Sequence, residues 1–278
     1  MSFVLEPSGP FSLRAAATFL SEFPPADRPD AADETVLRLA FLRDSFDGAT
    51  AITLRERDGA VHAEGDDGVR DQVARMLSLD HDGAAYAAIA QRDQVVADLQ
   101  AARPGLRPVL YASPYEAAAW AIISARLRAP QALAVRRRLA EDHGETVEGL
   151  ATFPAPERVL ALTEVHGLNA EKVARLHAVA SAALSGGLDA AALGAAPPDE
   201  ALARIREIRG LGPFLAELVL LRGAGVADVL PMHAPRIRAA VQAAYGLTEP
   251  PGDERLLEIA DAWRPFRSWV CLLLRASE

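Results

Sequence analysis

The sequence predicts an α+β protein in which a small antiparallel sheet domain, residues 1–75, is followed by an all-helical core, residues 76–278. Two observations support this prediction. In the first part, apolar and polar residues alternate with period two between turn signals, which is typical of half-buried strands. From Asp71 onward the chain is rich in Ala, Leu and Arg, and its Gly and Pro residues fall at the joints between helical segments.

The first domain is expected to hold three strands and one or two helices. Three alternating runs predict the strands, which are Val36–Arg43, Ala51–Glu56 and Val61–Glu64. Ala15–Phe19 predicts a short helix capped by Ser12, because a hydroxyl oxygen can accept from the free amides at a helix start. Asp66–Leu77 predicts the helix that leads into the second domain.

The second domain is expected to be an irregular bundle, because its helices differ in length and alternate with short joints. The predicted helices are Val95–Ala101, Pro114–Leu127, Pro130–His143, Pro156–His166, Lys172–Leu184, Glu200–Ile208, Pro213–Arg222, Pro235–Tyr245, Glu254–Trp263 and Arg267–Arg275.

Composition restricts the class of protein. Half of the 278 residues are apolar, and the longest apolar runs are too short to cross a bilayer, so no membrane partner is expected. Because Cys271 is the only cysteine, an internal disulfide, a cysteine zinc site and an iron–sulfur cluster are excluded. We expect a cytoplasmic protein that is a monomer.

The net charge of −9 argues at first against a nucleic-acid partner. The acidity is confined to residues 1–99, which carry 9 Arg and 18 acidic residues, whereas residues 100–278 carry 20 basic and 20 acidic residues. Arginines in the second part are clustered at residues 126 and 128, 136–138, 204–209 and 236–238. They indicate either a local positive face or scattered surface charge.

The most informative stretch is a glycine turn between two amphipathic segments, Ile208-Arg-Gly-Leu-Gly-Pro-Phe214. Gly210 can adopt positive φ, and Gly212 leaves backbone N–H groups uncovered at the start of the next helix. Aligned N–H groups and the helix dipole suit an anion. The sequence therefore predicts that the turn formed by Gly210, Leu211 and Gly212 holds phosphate oxygens, without any contact to a base.

This stretch resembles the helix-hairpin-helix motif of the DNA glycosylase superfamily, and the chain is similar to its 3-methyladenine type II, or alkylpurine, branch. Three further segments carry the resemblance, namely Ser113-Pro-Tyr-Glu-Ala117, Val165-His-Gly-Leu-Asn-Ala-Glu-Lys172 and Ala262-Trp-Arg-Pro-Phe-Arg-Ser-Trp269. The resemblance implies a helix-hairpin-helix glycosylase core with a DNA-binding cleft, in which Gly210, Leu211 and Gly212 bind the DNA backbone. It also implies a structural Na⁺ or K⁺ held by the carbonyls of Arg206, Ile208 and Leu211.

The resemblance further implies a catalytic Asp after the second hairpin helix, and the matching position in Asp228-Val-Leu-Pro-Met-His-Ala234 is Ala234. Such a carboxylate stabilises the positive charge that develops on the sugar or orients water. His233 and Asp228 are the remaining candidates, although a loop histidine and a helix-end aspartate are the favoured interpretations. Glu217, inside the second hairpin helix, is interpreted as structural.

Four more positions take candidate roles from the resemblance. Phe214 stands where bifunctional relatives carry a Schiff-base lysine, so a lyase step is not expected. The resemblance places Phe214, Leu218 and Arg275 around the damaged base, with packing of Phe214 in the core as an equal alternative. Arg126 occupies the position of the side chain that fills the gap left by an extruded base, and a plain surface arginine is its alternative.

The leading hypothesis is a monofunctional DNA-glycosylase-like protein of base excision repair that binds double-stranded DNA and flips out alkylated purines for hydrolysis. Because Ala234 lacks a carboxylate, a catalytically inactive DNA-damage or DNA-structure binder is the alternative. A third interpretation is a helical protein–protein module that has kept only the fold.

Overall fold

The computed structural model describes residues 1–22 and 36–276, which form a small sheet followed by helices. The sheet strands are β1 (Ser2–Leu5), β2 (Val36–Leu42), β3 (Ala49–Arg57) and β4 (Ala60–Gly65). They pair antiparallel in the order β1-β4-β3-β2. Their register places Leu5 opposite Val61, and Leu54 opposite both Leu37 and Ala63. The predicted antiparallel sheet is confirmed, and β1 is a strand that the period-two pattern did not reveal, because only four residues form it.

The helices that accompany the sheet are α1 (Leu13–Glu22), α2 (Arg70–Met76), α3 (Gly83–Ala87) and α4 (Gln94–Ala102). The Ser12 hydroxyl accepts from the Ala15 amide at 3.2 Å, so the predicted cap of α1 is present. α2 is preceded by a 3₁₀ turn at Asp67–Val69. The helix predicted over Asp66–Leu77 therefore forms as two short pieces.

The remaining helices follow one another with short joints, apart from a two-residue hairpin of β5 (Thr146–Val147) and β6 (Leu150–Ala151). They are α5 (Pro114–Ser124), α6 (Ala129–His143), α7 (Pro156–Leu160), α8 (Ala170–Leu184), α9 (Ala190–Ala195), α10 (Pro198–Arg206), α11 (Pro213–Arg222), α12 (Ile237–Tyr245), α13 (Asp253–Asp261) and α14 (Arg267–Ala276).

The sequence prediction differs most from the structure at the end of α7. The sequence predicts this end at His166, whereas the helix ends at Leu160. Just after the helix, the Leu162 amide donates to the Val159 carbonyl and the Ala161 amide is shared by the carbonyls of Glu157 and Arg158, as in a tightened final turn. The β-branched residues Thr163 and Val165 have low helix propensity, and Gly167 has a φ of +86°, so the chain turns instead. Other ends differ from the prediction by at most a few residues.

Two clusters of buried side chains hold the molecule together. One joins the sheet and α1 to α4 with the C-terminal helices α12 to α14, and the other fills the bundle of α5 to α11. Helix α5 is almost entirely apolar, and its residues from Pro114 to Ile123 are buried, as expected of a helix inside a core. Its one buried charge, Glu116, is paired with Arg136 of α6. It packs against both α11 and α8. The glycine turn before α11 is thereby fixed to the centre of the bundle.

No helix in the two described ranges is both long enough and apolar enough to cross a membrane.

Candidate functional site

The glycine turn between α10 and α11 is held by close packing on its inner side. Gly210 has a φ of +98°, which favours glycine, and a Cβ there would lie 2.7 Å from Cδ of Arg175 and 3.0 Å from Cδ1 of Ile122. Leu211 is buried, and its amide donates to the Ile208 carbonyl at 3.0 Å. Gly210 is therefore required both by its backbone conformation and by its contact with α8 and α5.

The outer side of the same turn is open. Gly212 caps α11 with φ −73° and ψ 179°, and no atom lies within 4 Å of where its Cβ would be. The first hydrogen bond of the helix runs from the Ala216 amide to the Gly212 carbonyl at 2.9 Å. Among the described residues, the amides of Phe214 and Leu215 have no acceptor, so they remain available to an anion at the positive end of the helix.

The three carbonyls that the resemblance assigns to a monovalent cation have free acceptor capacity. Within the described ranges, the carbonyls of Arg206 and Leu211 accept no backbone hydrogen bond. The carbonyl of Ile208 accepts one, from Leu211, and keeps a second lone pair. The donor set thus fits a hard cation bound by oxygen. No group of three His, Cys, Asp or Glu side chains that suits a metal occurs in the same ranges.

The turn after α5 carries Arg126 and is tied to α8 by Lys172. The Lys172 Nζ donates to the carbonyls of Ile123 and Ala125, both at 2.7 Å. Burial lowers the pKa of Lys172, since the ammonium group has lost part of its hydration. Arg126 is exposed, has a φ of +59°, and has no ion-pair partner among the described residues. The segment Val165–Lys172 therefore serves to fix this turn, with Asn169 capping α8 by accepting from the Lys172 amide at 2.9 Å.

Other arginines near the hairpin are engaged with an acidic partner. Arg175 and Arg209 contact the two oxygens of Glu171 at 3.0 Å and 2.9 Å. The hydrogen bond from Arg175 and the charge of Arg209 lower the pKa of Glu171. These contacts join the hairpin turn to the first turn of α8. Arg206, four residues before Gly210, is exposed and forms no salt bridge with the residues that the structure describes.

The position that matches the expected Asp, Ala234, lies in a tight turn after α11. Its amide donates to the Pro231 carbonyl at 3.2 Å, and its carbonyl accepts from Ile237 at 3.3 Å. Ala234 is half-buried and packs against the cluster that contains α12 to α14. No carboxylate is therefore carried at this position, and the nearest side chain along the chain is His233.

His233 is held by Glu217 of α11. Nδ1 of His233 lies 2.7 Å from Oε1 of Glu217, and the His233 amide donates to both carboxylate oxygens, at 3.1 Å and 3.3 Å. The Glu217 side chain is 6% exposed, whereas that of His233 is 57% exposed. The sequence favours a structural role for each of the two residues taken alone. It gives no sign of their contact, because 16 positions separate them.

The third candidate, Asp228, is bound to the closing helix. Its carboxylate accepts from Nε of Arg267 at 2.7 Å and from Nη1 of Arg264 at 3.0 Å, and its backbone carbonyl accepts from Nη2 of Arg267 at 2.7 Å. Both oxygens are thus used in ion pairs with the Trp-Arg-Pro-Phe-Arg segment. We interpret Asp228 as a structural residue that joins the loop after α11 to α14.

The Asp228→Asn variant is expected to be less stable than the wild type and to keep the wild-type rate of any base release. Neutralising one partner of a partly exposed ion-pair network costs about 1 kcal/mol, which corresponds to roughly 2–4 °C in Tm for a chain of this size. Thermal unfolding followed by circular dichroism measures the change in Tm. The rate of base release by the variant and by the wild type is compared per folded molecule. A variant with wild-type Tm and no release would instead make Asp228 part of the reacting site.

The three base-pocket candidates lie on α11 and α14. Phe214 is 38% exposed, and Leu218 follows one turn later on the same face of α11 and is half-buried. Arg275 is half-buried on α14, one turn after Cys271. Burial raises the pKa of the Cys271 thiol on this helix. Their roles around a base stay predictions.

No family model matches the chain. The chain is 22% identical over 217 residues to a DNA-3-methyladenine glycosylase of Bacillus subtilis, which covers 74% of this chain and 72% of the relative.

Two solved structures share the fold. The 3-methyladenine DNA glycosylase of Archaeoglobus fulgidus superposes with a TM-score of 0.77 at 24% identity, covering 98% of this chain and 96% of that one. The Schizosaccharomyces pombe 3-methyladenine DNA glycosylase in complex with abasic DNA superposes with a TM-score of 0.56 at 22% identity, covering 69% and 94%. The predicted α+β fold with a helix-hairpin-helix core is therefore confirmed.

Proposed function

We propose that this chain, whose relatives indicate the helix-hairpin-helix 3-methyladenine DNA glycosylase family, binds double-stranded DNA and releases alkylated purines by hydrolysis of the N-glycosidic bond. The observation that carries the proposal is the open N-terminus of α11. The turn is rigid on its inner side at Gly210 and unobstructed on its outer side at Gly212, on a fold shared over nearly the whole chain with a glycosylase.

DNA binding by this hairpin uses the backbone of both partners. A phosphate oxygen can accept from the free amides at the start of α11, and the helix dipole adds to that attraction. A Na⁺ or K⁺ held by the carbonyls of Arg206, Ile208 and Leu211 would supply positive charge beside the phosphate. Neither contact involves a base edge, so the protein holds the duplex without reading its sequence.

The bound nucleotide is turned out of the helix before the bond is cleaved, because its anomeric carbon is otherwise covered by the stack. Arg126 is the proposed plug for the resulting gap. Its left-handed backbone and the Lys172 contacts fix the turn that carries it. Phe214, which is exposed at the front of α11, is the proposed stacking surface for the base.

The reaction proposed is hydrolysis without a lyase step. A purine alkylated at a ring nitrogen is cationic, so it departs as a neutral base and needs less assistance than an unmodified purine. Phe214 has no amine with which to attack the opened sugar, and the chain therefore offers no Schiff-base lysine at that position.

The test is release of free base from methylated duplex DNA by the wild-type protein and by Phe214→Ala. The wild type is expected to release methylated purines above the spontaneous rate. Loss of base stacking, worth about 1–3 kcal/mol, should slow the variant at least roughly fivefold. Leu257→Ala on α13 is the matched control, because Leu257 is also an exposed large apolar residue. Salt-sensitive duplex binding without release would identify a noncatalytic damage binder, and no duplex binding at low salt would leave a protein module that has kept only the fold.

A further inference from the structure

The contact between His233 and Glu217 has the form of an oriented acid–base pair. The carboxylate is almost completely buried and uses Oε1 for the imidazole Nδ1 at 2.7 Å. It also accepts from the His233 amide, which fixes the backbone from which the imidazole projects. The ring therefore has one orientation relative to α11.

The contact also selects a tautomer. A carboxylate can only accept, so the proton of a neutral His233 resides on Nδ1 and the lone pair resides on Nε2. Nε2 has no hydrogen-bond partner among the described residues, and the side chain is 57% exposed. A basic nitrogen is thus directed away from the buried carboxylate toward the accessible side of the loop.

The location of the pair connects it with the proposed site. His233 directly precedes Ala234, the position from which the resemblance expects a carboxylate to act. Glu217 lies on α11, three residues after Phe214 and directly before Leu218. The same helix therefore binds phosphate at its first turn and orients the imidazole from its second turn.

We propose that His233 is the general base of this chain and that Glu217 is its positioning residue. The inference rests on the proposed function. Nε2 accepts a proton from a water molecule as the water oxygen forms a bond to the anomeric carbon. The bond from that carbon to the purine nitrogen breaks, its electron pair leaves with the base, and the cationic alkylpurine departs neutral. The proton that remains on His233 is later returned to solvent.

The buried carboxylate of Glu217 also offsets the positive charge that a protonated histidine would place near the sugar. An isolated imidazolium would repel the positive charge that develops on the sugar. Here the proton taken up by Nε2 produces an ion pair with Glu217, so the pair as a whole becomes neutral during the step instead of positive. Before proton transfer the pair carries the single negative charge of Glu217, which favours the developing oxocarbenium character.

The test is the single-turnover rate of base release from methylated duplex DNA by the wild type, His233→Ala and Glu217→Gln. Loss of general-base catalysis is expected to slow His233→Ala by about 10²-fold or more. Added imidazole should restore part of that rate, because a free base can occupy the space left by the side chain. Glu217→Gln should slow release to a smaller extent without a rescue by imidazole, since its His233 is present but poorly oriented.

The controls separate this inference from the function on which it rests. His62→Ala in β4 removes a histidine from the sheet and should leave the rate unchanged, and affinity for abasic duplex DNA shows that each variant is folded and binds. A His233→Ala protein that releases base at the wild-type rate, or whose lost rate imidazole does not raise, overturns the general-base assignment and leaves the glycosylase function standing. A wild type that releases no base overturns both.

Discussion

The Gly212→Asp variant is expected to lose duplex binding while its fold is retained or becomes more stable. No atom lies within 4 Å of the new Cβ, and the backbone of Gly212 is ordinary extended conformation. The aspartate would accept from the free amides of α11 as an N-cap and so occupy the groups that a phosphate needs. It would also add a negative charge there. We expect affinity to fall at least about 30-fold, which is roughly 2 kcal/mol, in a fluorescence-anisotropy titration at low salt.

Gly252→Asp is the matched control, because the two glycines have the same geometry. Gly252 caps α13 with φ −67° and ψ 176°, and a Cβ at that position also meets no atom within 4 Å. The control should gain stability from the new cap, as Gly212→Asp does, and should bind duplex DNA like the wild type. If both variants bind equally well, or both lose binding to the same extent, the hairpin is not the phosphate contact.

The proposed phosphate contact is compatible with the acidity of the chain. The net charge of −9 provides no general attraction, and Arg175 and Arg209 beside the hairpin are engaged with Glu171. The positive groups that remain are the free amides of α11, the exposed Arg206, and the exposed Arg126 on the turn after α5. A Na⁺ or K⁺ on the three carbonyls would add to them. We therefore expect binding that depends on few phosphate contacts and falls less steeply with salt than binding by an extensive basic surface.

The sequence predicted the fold well because the relevant signals are local. Alternation with period two marks β2 to β4, and Gly or Pro stands at one or both ends of many of the helices. The elements it missed are too short to show a period, such as β1 and the two-residue strands β5 and β6. The prediction extends α7 too far, because an apolar pattern alone does not reveal the turn at Gly167.

The candidate site was predictable only in part, for a physical reason. The turn proposed to bind phosphate is encoded by adjacent residues, so Gly210 and Gly212 could be identified from their spacing. The pair of His233 and Glu217 depends on how the loop after α11 folds back on its second turn, and no local pattern describes that contact. Likewise, the ion pairs of Asp228 with Arg264 and Arg267 join positions that are 36 and 39 residues apart.

Replacing the residue at the vacant position, Ala234→Asp, is expected to increase base release. A carboxylate there would stabilise positive charge on the sugar and would also offer the water a second base beside the imidazole. An added group of this kind is worth about 10²-fold or more when well placed. Since Ala234 is half-buried, part of that gain will be lost to imperfect fit, and we expect roughly a tenfold increase in the single-turnover rate. In the His233→Ala background the increase should be larger, because no other base competes for the water.

Ala234→Asn supplies the control, since it has nearly the same shape as Asp without the charge. It should leave the rate at or below that of the wild type, and its Tm should match that of Ala234→Asp. Equal rates for the Asp and Asn variants would mean that position 234 does not face the reacting sugar. The proposed replacement of one base by another requires the gain from Asp to depend on His233. If Asp raises the rate by the same factor with and without His233, the two groups act independently.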